Sequence, residues 1–230
     1  MQILNLIKGN LDQTNQKKFW IDIEEAEESK ITEWGISLKD VVLFKKYRIS
    51  TYLEFPQYTG ILLFELRYSN GHFKRDPLLI FFDKENVISI NAKKYFDAYY
   101  YNFIVQKKLK NITKEIVVFE LLSNVIGKNA ENSLTIERDI AHVEETVGSQ
   151  KNKFKMEQTL HIRKALLRVS RHYWSQRQII FDFKENRIHM LNPSGEISTK
   201  LADLYNAMFF DINLIEQLHT ILTDVRDLYL

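Results

Sequence analysis

The chain has 230 residues, and its 32 Lys and Arg against 30 Asp and Glu give a formal net charge of +2. So even a balance supplies no global field to hold nucleic acid or an anionic membrane. The absence of Cys excludes disulfides and thiolate metal sites and fits a reducing compartment. With seven Gly and three Pro, the chain has little loop and enough length to bury a sizeable core, as one large domain or as a domain with an added helical layer.

Met1 to Lys8 is too short and too polar for a signal peptide. No run approaches the ~18 apolar residues of a membrane span, so the chain as given reads as soluble. Ile3 to Lys8 and Phe19-Trp20-Ile21-Asp22-Ile23 alternate apolar and polar residues, which predicts two strands. The second runs into the acidic start of a helix, Glu24 to Trp34, that Gly35 ends. Ser37 then caps a second helix, with Leu38, Val41, Val42 and Lys45 on the helical period. Strands follow at Ser50 to Phe55, Gly60 to Tyr68, Leu78 to Asp83 and Val87 to Ile90, with a hairpin signal at Ser69-Asn70-Gly71-His72. Ile61-Leu62-Leu63-Phe64 and Leu78-Leu79-Ile80-Phe81-Phe82 are apolar on both faces and should be buried on both.

After Asn91 the period changes from two to 3.6. Lys93 to Gln106 reads as a helix whose aromatic face serves as core or stacks nucleobases. A basic link, Lys107 to Lys110, leads to Asn111 as N-cap of a long helix ending near Gly148, and a turn at Gly148-Ser149-Gln150 opens another from Lys153 to about Phe183. Three bases face seven acids between Asn111 and Gln150, while ten face three between Lys151 and Met190. Opposite charge on helices joined by a tight turn favours an antiparallel pair. The basic arm, carrying His172, Tyr173 and Trp174, is alternatively a nucleic-acid surface.

Asn192-Pro193-Ser194-Gly195 introduces the last element, Ile197 to Leu230, with no further Gly or Pro. Leu201, Met208, Ile215, Leu222 and Tyr229 recur every seventh residue, with Leu204, Leu218 and Val225 between them and Asp211 interrupting that second register. This is a seam for another helix. The opposite face keeps the same spacing with Asn206, Asn213, Thr220 and Asp227, flanked by Asp203, Phe210, Gln217 and Asp224. Such a stripe is either the wet side of a helix or a face turned to ions. The segment closes on Asp227-Leu228-Tyr229-Leu230 without stop signals, which predicts a helix that continues past Leu230.

The six His are widely spaced and no phosphate-binding Gly loop or nucleophile motif is present, so the chain reads as a non-enzyme. The expected fold is α+β: a small mixed β-sheet covered by helices over 1–110, a long antiparallel helix pair over 111–190 and a long C-terminal stalk helix over 191–230.

This order of parts resembles the cytoplasmic domain of the CorA family of divalent-cation transporters. The residues that carry the likeness are Phe19 to Ile23 with Trp34-Gly35-Ile36, Tyr52-Leu53-Glu54-Phe55, and Leu201 to Asn206 through Asp224 to Leu230. The resemblance implies a homopentameric funnel whose stalk helix runs on into a pore-lining span, on the cytoplasmic face of a cell membrane. It implies magnesium as substrate, with cobalt or nickel as alternatives and zinc in one branch. It also implies a regulatory metal between neighbouring subunits, held by an acid of the first domain and by Asp203 of the stalk. The first-domain acid falls on Leu43, beside Val42, so Asp40, one helical turn earlier, is the only nearby substitute and would act through water. Asn206, Asn213, Thr220 and Asp227 would line the ion path. A helical scaffold or a nucleic-acid binder using Lys153 to Arg187 are the competing readings.

Overall fold

A computed structural model of the chain describes residues 2–5, 19–69, 72–91, 112–145 and 152–227. Six strands, β1 (Gln2–Asn5), β2 (Phe19–Glu24), β3 (Thr51–Glu54), β4 (Thr59–Ser69), β5 (His72–Phe82) and β6 (Val87–Asn91), form one mixed sheet in the order β1-β2-β6-β5-β4-β3. The only parallel pairing among them is β2 with β6, where Trp20 lies opposite Val87. The β4–β5 hairpin runs in unbroken register from Thr59 opposite Phe82 to Ser69 opposite His72, as the hairpin signal there predicts, with Asn70 and Gly71 themselves outside the described residues.

Alternation sorts these strands into two cores. Ile61, Leu63, Leu78, Ile80 and Phe82 point to one face, joined by Trp20 and Val87. Leu62, Phe64, Leu79 and Phe81 point to the other, with Ile21, Ile23, Ile88 and Ile90. Both faces of the central strands are buried, as their continuous apolar runs require. Polar positions of β2 and β6 are absorbed locally: Trp20 Nε1 donates to Ser89 Oγ at 3.0 Å, and Ser89 Oγ and Asn91 Nδ2 donate to Asp22 Oδ1 at 2.5 and 3.0 Å. One oxygen of the buried carboxylate therefore accepts two hydrogen bonds.

Between β2 and β3 the expected helix at Glu24 to Trp34 is instead a 3-10 segment, Glu25–Trp34, broken at Glu27 (φ −110°, ψ 16°). Its first turn gathers Glu25, Glu27 and Glu28 and buries only Ile31, so like charges at helical spacing meet little apolar compensation. Gly35 ends it in the left-handed conformation at φ 76°. Helix α1 (Leu38–Phe44) starts as expected, with Ser37 Oγ accepting from the Lys39 N–H at 3.2 Å. Its buried face is Val41 and Phe44, while Leu38 and Val42 of the expected stripe are exposed.

Three long helices complete the fold: α2 (Lys114–Glu145), α3 (Asn152–Lys184) and α4 (Glu196–Asp227). The α2–α3 pair is antiparallel, since Asn129 meets Gln176 while Ser133 meets Tyr173. What joins the two helices at those points is amide and hydroxyl hydrogen bonding, with Tyr173 also donating to the Asn129 carbonyl. The expected aromatic helix over Lys93 to Gln106 and the turn at Gly148 to Gln150 lie outside the described residues.

The helices also close an edge of the sheet. Strand β3 pairs with Thr59 to Leu62 of β4, leaving the rest of that edge without a strand partner among the described residues. Asn129 of α2 accepts from Leu66 N–H at 2.6 Å and donates to the Phe64 carbonyl at 3.0 Å. Asn132 repeats the pattern one step along, accepting from Tyr68 N–H at 2.7 Å and donating to the Leu66 carbonyl at 3.0 Å. Gln176 of α3 adds a bond to the Phe64 carbonyl at 3.0 Å. Three buried amides thus stand where a neighbouring strand would.

Candidate functional site

The stalk helix α4 is amphipathic in the way its seven-residue spacing requires. Leu201, Met208, Ile215 and Leu222 are buried, with Ile212 and Leu218 beside them. They pack within this one chain: Leu201 and Met208 join the core that holds Ile61, Ile80 and Ile180, and Ile212 to Leu222 join Ile136, Ile140, Ile162 and Leu166. From Leu201 to Leu222 the seam is therefore covered within the same chain, chiefly by α2 and α3, while the side chains of Val225 and Tyr229 lie outside what is described. Asp211, which interrupts it, is half-buried, and burial raises its carboxyl above the usual range.

On the opposite side, Asp203, Asn206, Glu216, Thr220 and Asp224 are exposed and Asn213 is half-buried. Thr220 Oγ1 donates to the Glu216 carbonyl at 3.2 Å. Asp227 is the last helical residue of α4, and its side chain lies outside what is described. The expected row of Asn206, Asn213 and Thr220 thus shares one outward face. That face is less polar than the spacing suggests, because Phe210 is 71% exposed and Phe209 45%. Phe210 had been visible only as one member of a flanking row.

Asp40 sits in the first turn of α1, half-buried, and Tyr58 Oη donates to its Oδ2 at 2.5 Å. The Ser37 N–H in turn donates to Tyr58 Oη at 3.1 Å, and burial followed by the Asp40 contact pushes the phenol upward. One carboxylate oxygen is thereby committed and the other is left to water or a cation. Nothing in the spacing of the chain points to Tyr58, which arrives from the β3–β4 turn.

Asp40 and Asp203 do not meet. Helix α1 rests Val41 and Phe44 on the sheet face of Leu62 and Phe81, whereas the start of α4 rests Leu201 on the face of Ile61 and Ile80. The two acids are carried over opposite faces of the sheet, and no group of three or more His, Asp or Glu placed to hold a metal occurs among the described residues.

The C-terminal part of the basic arm packs against aromatic rings of its own chain. Arg177 of α3 lies 3.8 Å from the ring centroid of Tyr205 and 5.3 Å from that of Phe209, both on α4. Arg187 lies 4.9 Å from the Phe181 centroid, and Lys184 stands over Phe181 and Tyr205 at 5.8 and 5.9 Å. Arg177 and Lys184 thus fasten α3 to α4 through Tyr205 and Phe209, while Arg187 packs on Phe181 of α3 itself.

No helix among the described residues is long and apolar enough to cross a membrane. The fold is similar to the soluble domain of CorA from Methanocaldococcus jannaschii, at a TM-score of 0.79 and 15% identity over 98% of this chain and 94% of that one. It is similar to the complete CorA magnesium transporter of the same organism, with a TM-score of 0.77 and 17% identity over 94% and 71%. The ZntB cytoplasmic domain from Vibrio parahaemolyticus matches with a TM-score of 0.72 and 12% identity over 99% and 95%. No curated protein sequence matches. The model of the family described as CorA-like Mg2+ transporter protein, however, matches residues 15–230. The α+β sheet, the antiparallel pair and the stalk helix are therefore the parts of a known architecture, and the chain belongs to the CorA-like Mg2+ transporter family.

Proposed function

We propose that this chain is the cytoplasmic funnel domain of a CorA-type transporter, that it assembles as a pentamer around α4, and that it senses divalent cation as well as lining the ion path. The observation that carries the reading is the division of α4: its apolar seam is buried by its own subunit while Asp203, Asn206, Thr220 and Asp224 remain outside. An outward acidic and amide stripe on a helix already satisfied on its other side suits hydrated cations passing along a symmetry axis. Asn206, Asn213, Thr220 and Asp227 are the proposed path residues. Magnesium is the proposed ion, with cobalt or nickel as alternatives. The ZntB likeness keeps zinc as a second reading.

The regulatory metal would be shared between subunits, Asp203 from one and Asp40 from its neighbour, because the two acids of a single chain lie over opposite sheet faces. Hard cations retain several waters when few carboxylates are offered. With Val42 and Leu43 where the family's acidic pair is expected, Asp40 acts through water and the site is weak. Calorimetry with magnesium on the assembled protein tests this. At about tenfold excess over Kd, binding should raise Tm by about 3–6 °C, and Asp203→Ala should remove part of the rise. Full-strength magnesium binding that survives both Asp203→Ala and Asp40→Ala would overturn the assignment.

A further inference from the structure

Two adjoining cavities on the side of the molecule that carries α1 share the side chains of Arg48 and Arg75. The larger, about 380 Å³, is walled by Arg48, Arg75, Arg168 and Arg171 together with Phe73 and His172. The smaller, about 210 Å³, is lined by apolar and aromatic groups including Phe44, Tyr47, Leu62 and Leu79, with Glu25 and Glu28 at its rim. Phe64 and Arg75 stand between them, the guanidinium 5.1 Å from the ring centroid.

Four guanidiniums converge here from three parts of the chain: the loop after α1, strand β5 and helix α3. None has a carboxylate partner among the described residues, and the nearby acids are engaged elsewhere, Asp76 with Arg67 and Glu65 with Lys128. Arg75 instead donates to the main-chain carbonyl of Arg48 at 2.5 Å. Burial, and then the like charges of Arg48 and Arg168, pull the Arg75 guanidinium down from its ordinary value. Beside it His172 is only 3% exposed, its ring set against Phe64 and Phe73, and its Nδ1 has no hydrogen-bond partner. Arg48, Arg168 and Arg171 are exposed and solvated, but four like charges beside a buried ring nitrogen without a partner suit an anion with several acceptor oxygens.

The smaller cavity adds two carboxylates, Glu25 and Glu28, beside Lys45. Lys45 Nζ holds Glu28 at 2.7 Å and stands 3.9 Å from Glu25. Carboxylates fixed in this way accept hydrogen bonds from an amine. A ligand filling both cavities is therefore anionic at one end, planar and apolar in the middle and amine-bearing at the other end. We infer that this bipartite cavity binds a nucleoside polyphosphate, its phosphates on Arg48, Arg75, Arg168 and Arg171 and its base against Phe44 and Tyr47 with an exocyclic amine toward Glu25 and Glu28. The site is distinct from the stalk stripe and does not depend on the transport reading. Nucleotide bound there sits across the contact between α3 and the sheet and acts as an effector of this domain.

The test is calorimetric titration of the whole protein with ATP in EDTA at about physiological salt, alongside tripolyphosphate, adenosine and a generic DNA duplex. ATP should bind with a stoichiometry of one per chain. Arg168→Ala and Arg171→Ala, both exposed on α3, should each weaken ATP about tenfold, as expected for the loss of one charge-assisted contact, without lowering Tm. Lys164→Ala, on the same helix outside the cavity, should leave affinity unchanged. Tripolyphosphate should bind more weakly than ATP and lose affinity in the same arginine variants, while Tyr47→Ala should weaken ATP alone. The proposal fails if ATP does not bind, or if its binding ignores Arg168→Ala and Arg171→Ala. It fails equally if tripolyphosphate matches ATP, which leaves no role for the base. Duplex binding that needs the arginines while ATP does not bind would assign the cluster to nucleic acid instead.

Discussion

His172 shows how one side chain ties stability to pH. Burial, and then the charge of Arg75, pushes the imidazole down to about 4 from 6.5. A base whose folded value is depressed favours the fold while it stays neutral. Between pH 6.5 and 4 the unfolded chain takes up a proton that the folded chain refuses, so stability falls as pH falls through that window. The shift corresponds to about 3 kcal/mol at most. His172→Phe should flatten the decline in urea-denaturation stability measured between pH 7 and 4.5, and an unchanged slope would assign the decline to other groups. Gly60 is a second residue with a steric rather than electrostatic role. A Cβ there would lie 2.5 and 2.7 Å from the Phe44 ring and 2.8 Å from that of Phe81. Gly60→Ala should cost about 1–3 kcal/mol by overpacking, and Phe44→Leu in the same chain should recover part of the loss by thermal denaturation. Neither role was legible in the sequence, because His172 reads as part of a basic arm and Gly60 as the start of a strand. Both roles come from neighbours that the sheet and α3 bring from far along the chain.

At the scale of elements, the long spacings were the legible ones. The seam from Leu201 to Leu222 repeats over several turns, so chance apolar residues average out and the buried face of α4 emerges as expected. The segment after β2 failed the same kind of reading, because one acidic turn carries little periodic information and local repulsion decides it. Asn129 and Asn132 were missed for a different reason. Two amides three residues apart on a helix look like solvated surface, and their burial depends on an edge of β4 that a short β3 leaves open. Asn132→Ala should remove partners from the Tyr68 N–H and the Leu66 carbonyl and cost about 2–4 kcal/mol in denaturant unfolding. A loss below about 1 kcal/mol would mean that water replaces the amide there.

For the whole molecule, covering the seam of α4 internally moves the question of assembly to the other face. Phe210, 71% exposed with Phe209 beside it, is an apolar outlier on an acidic stripe and needs a cover that its own subunit does not supply. Phe210→Ser should leave Tm of the separated chain unchanged and weaken concentration-dependent association in sedimentation. Association that is indifferent to the change would place the contact between subunits elsewhere. The proposed pairing of Asp40 with Asp203 across a subunit boundary belongs to this scale too. It was legible only through resemblance, since nothing within one chain draws the two acids together.

The amides on β4 have a mechanical consequence. Asn129, Asn132 and Gln176 make five hydrogen bonds to the backbone of a single strand. Turning α2 by one residue about its axis, or sliding it by one turn, breaks four of them at once and leaves buried donors and acceptors bare, at about 1–3 kcal/mol each. The teeth of this rack hold the sheet and α2 in one gear, with α3 engaged through Gln176. The sheet and α2 should therefore move as one body, without slip between the layers.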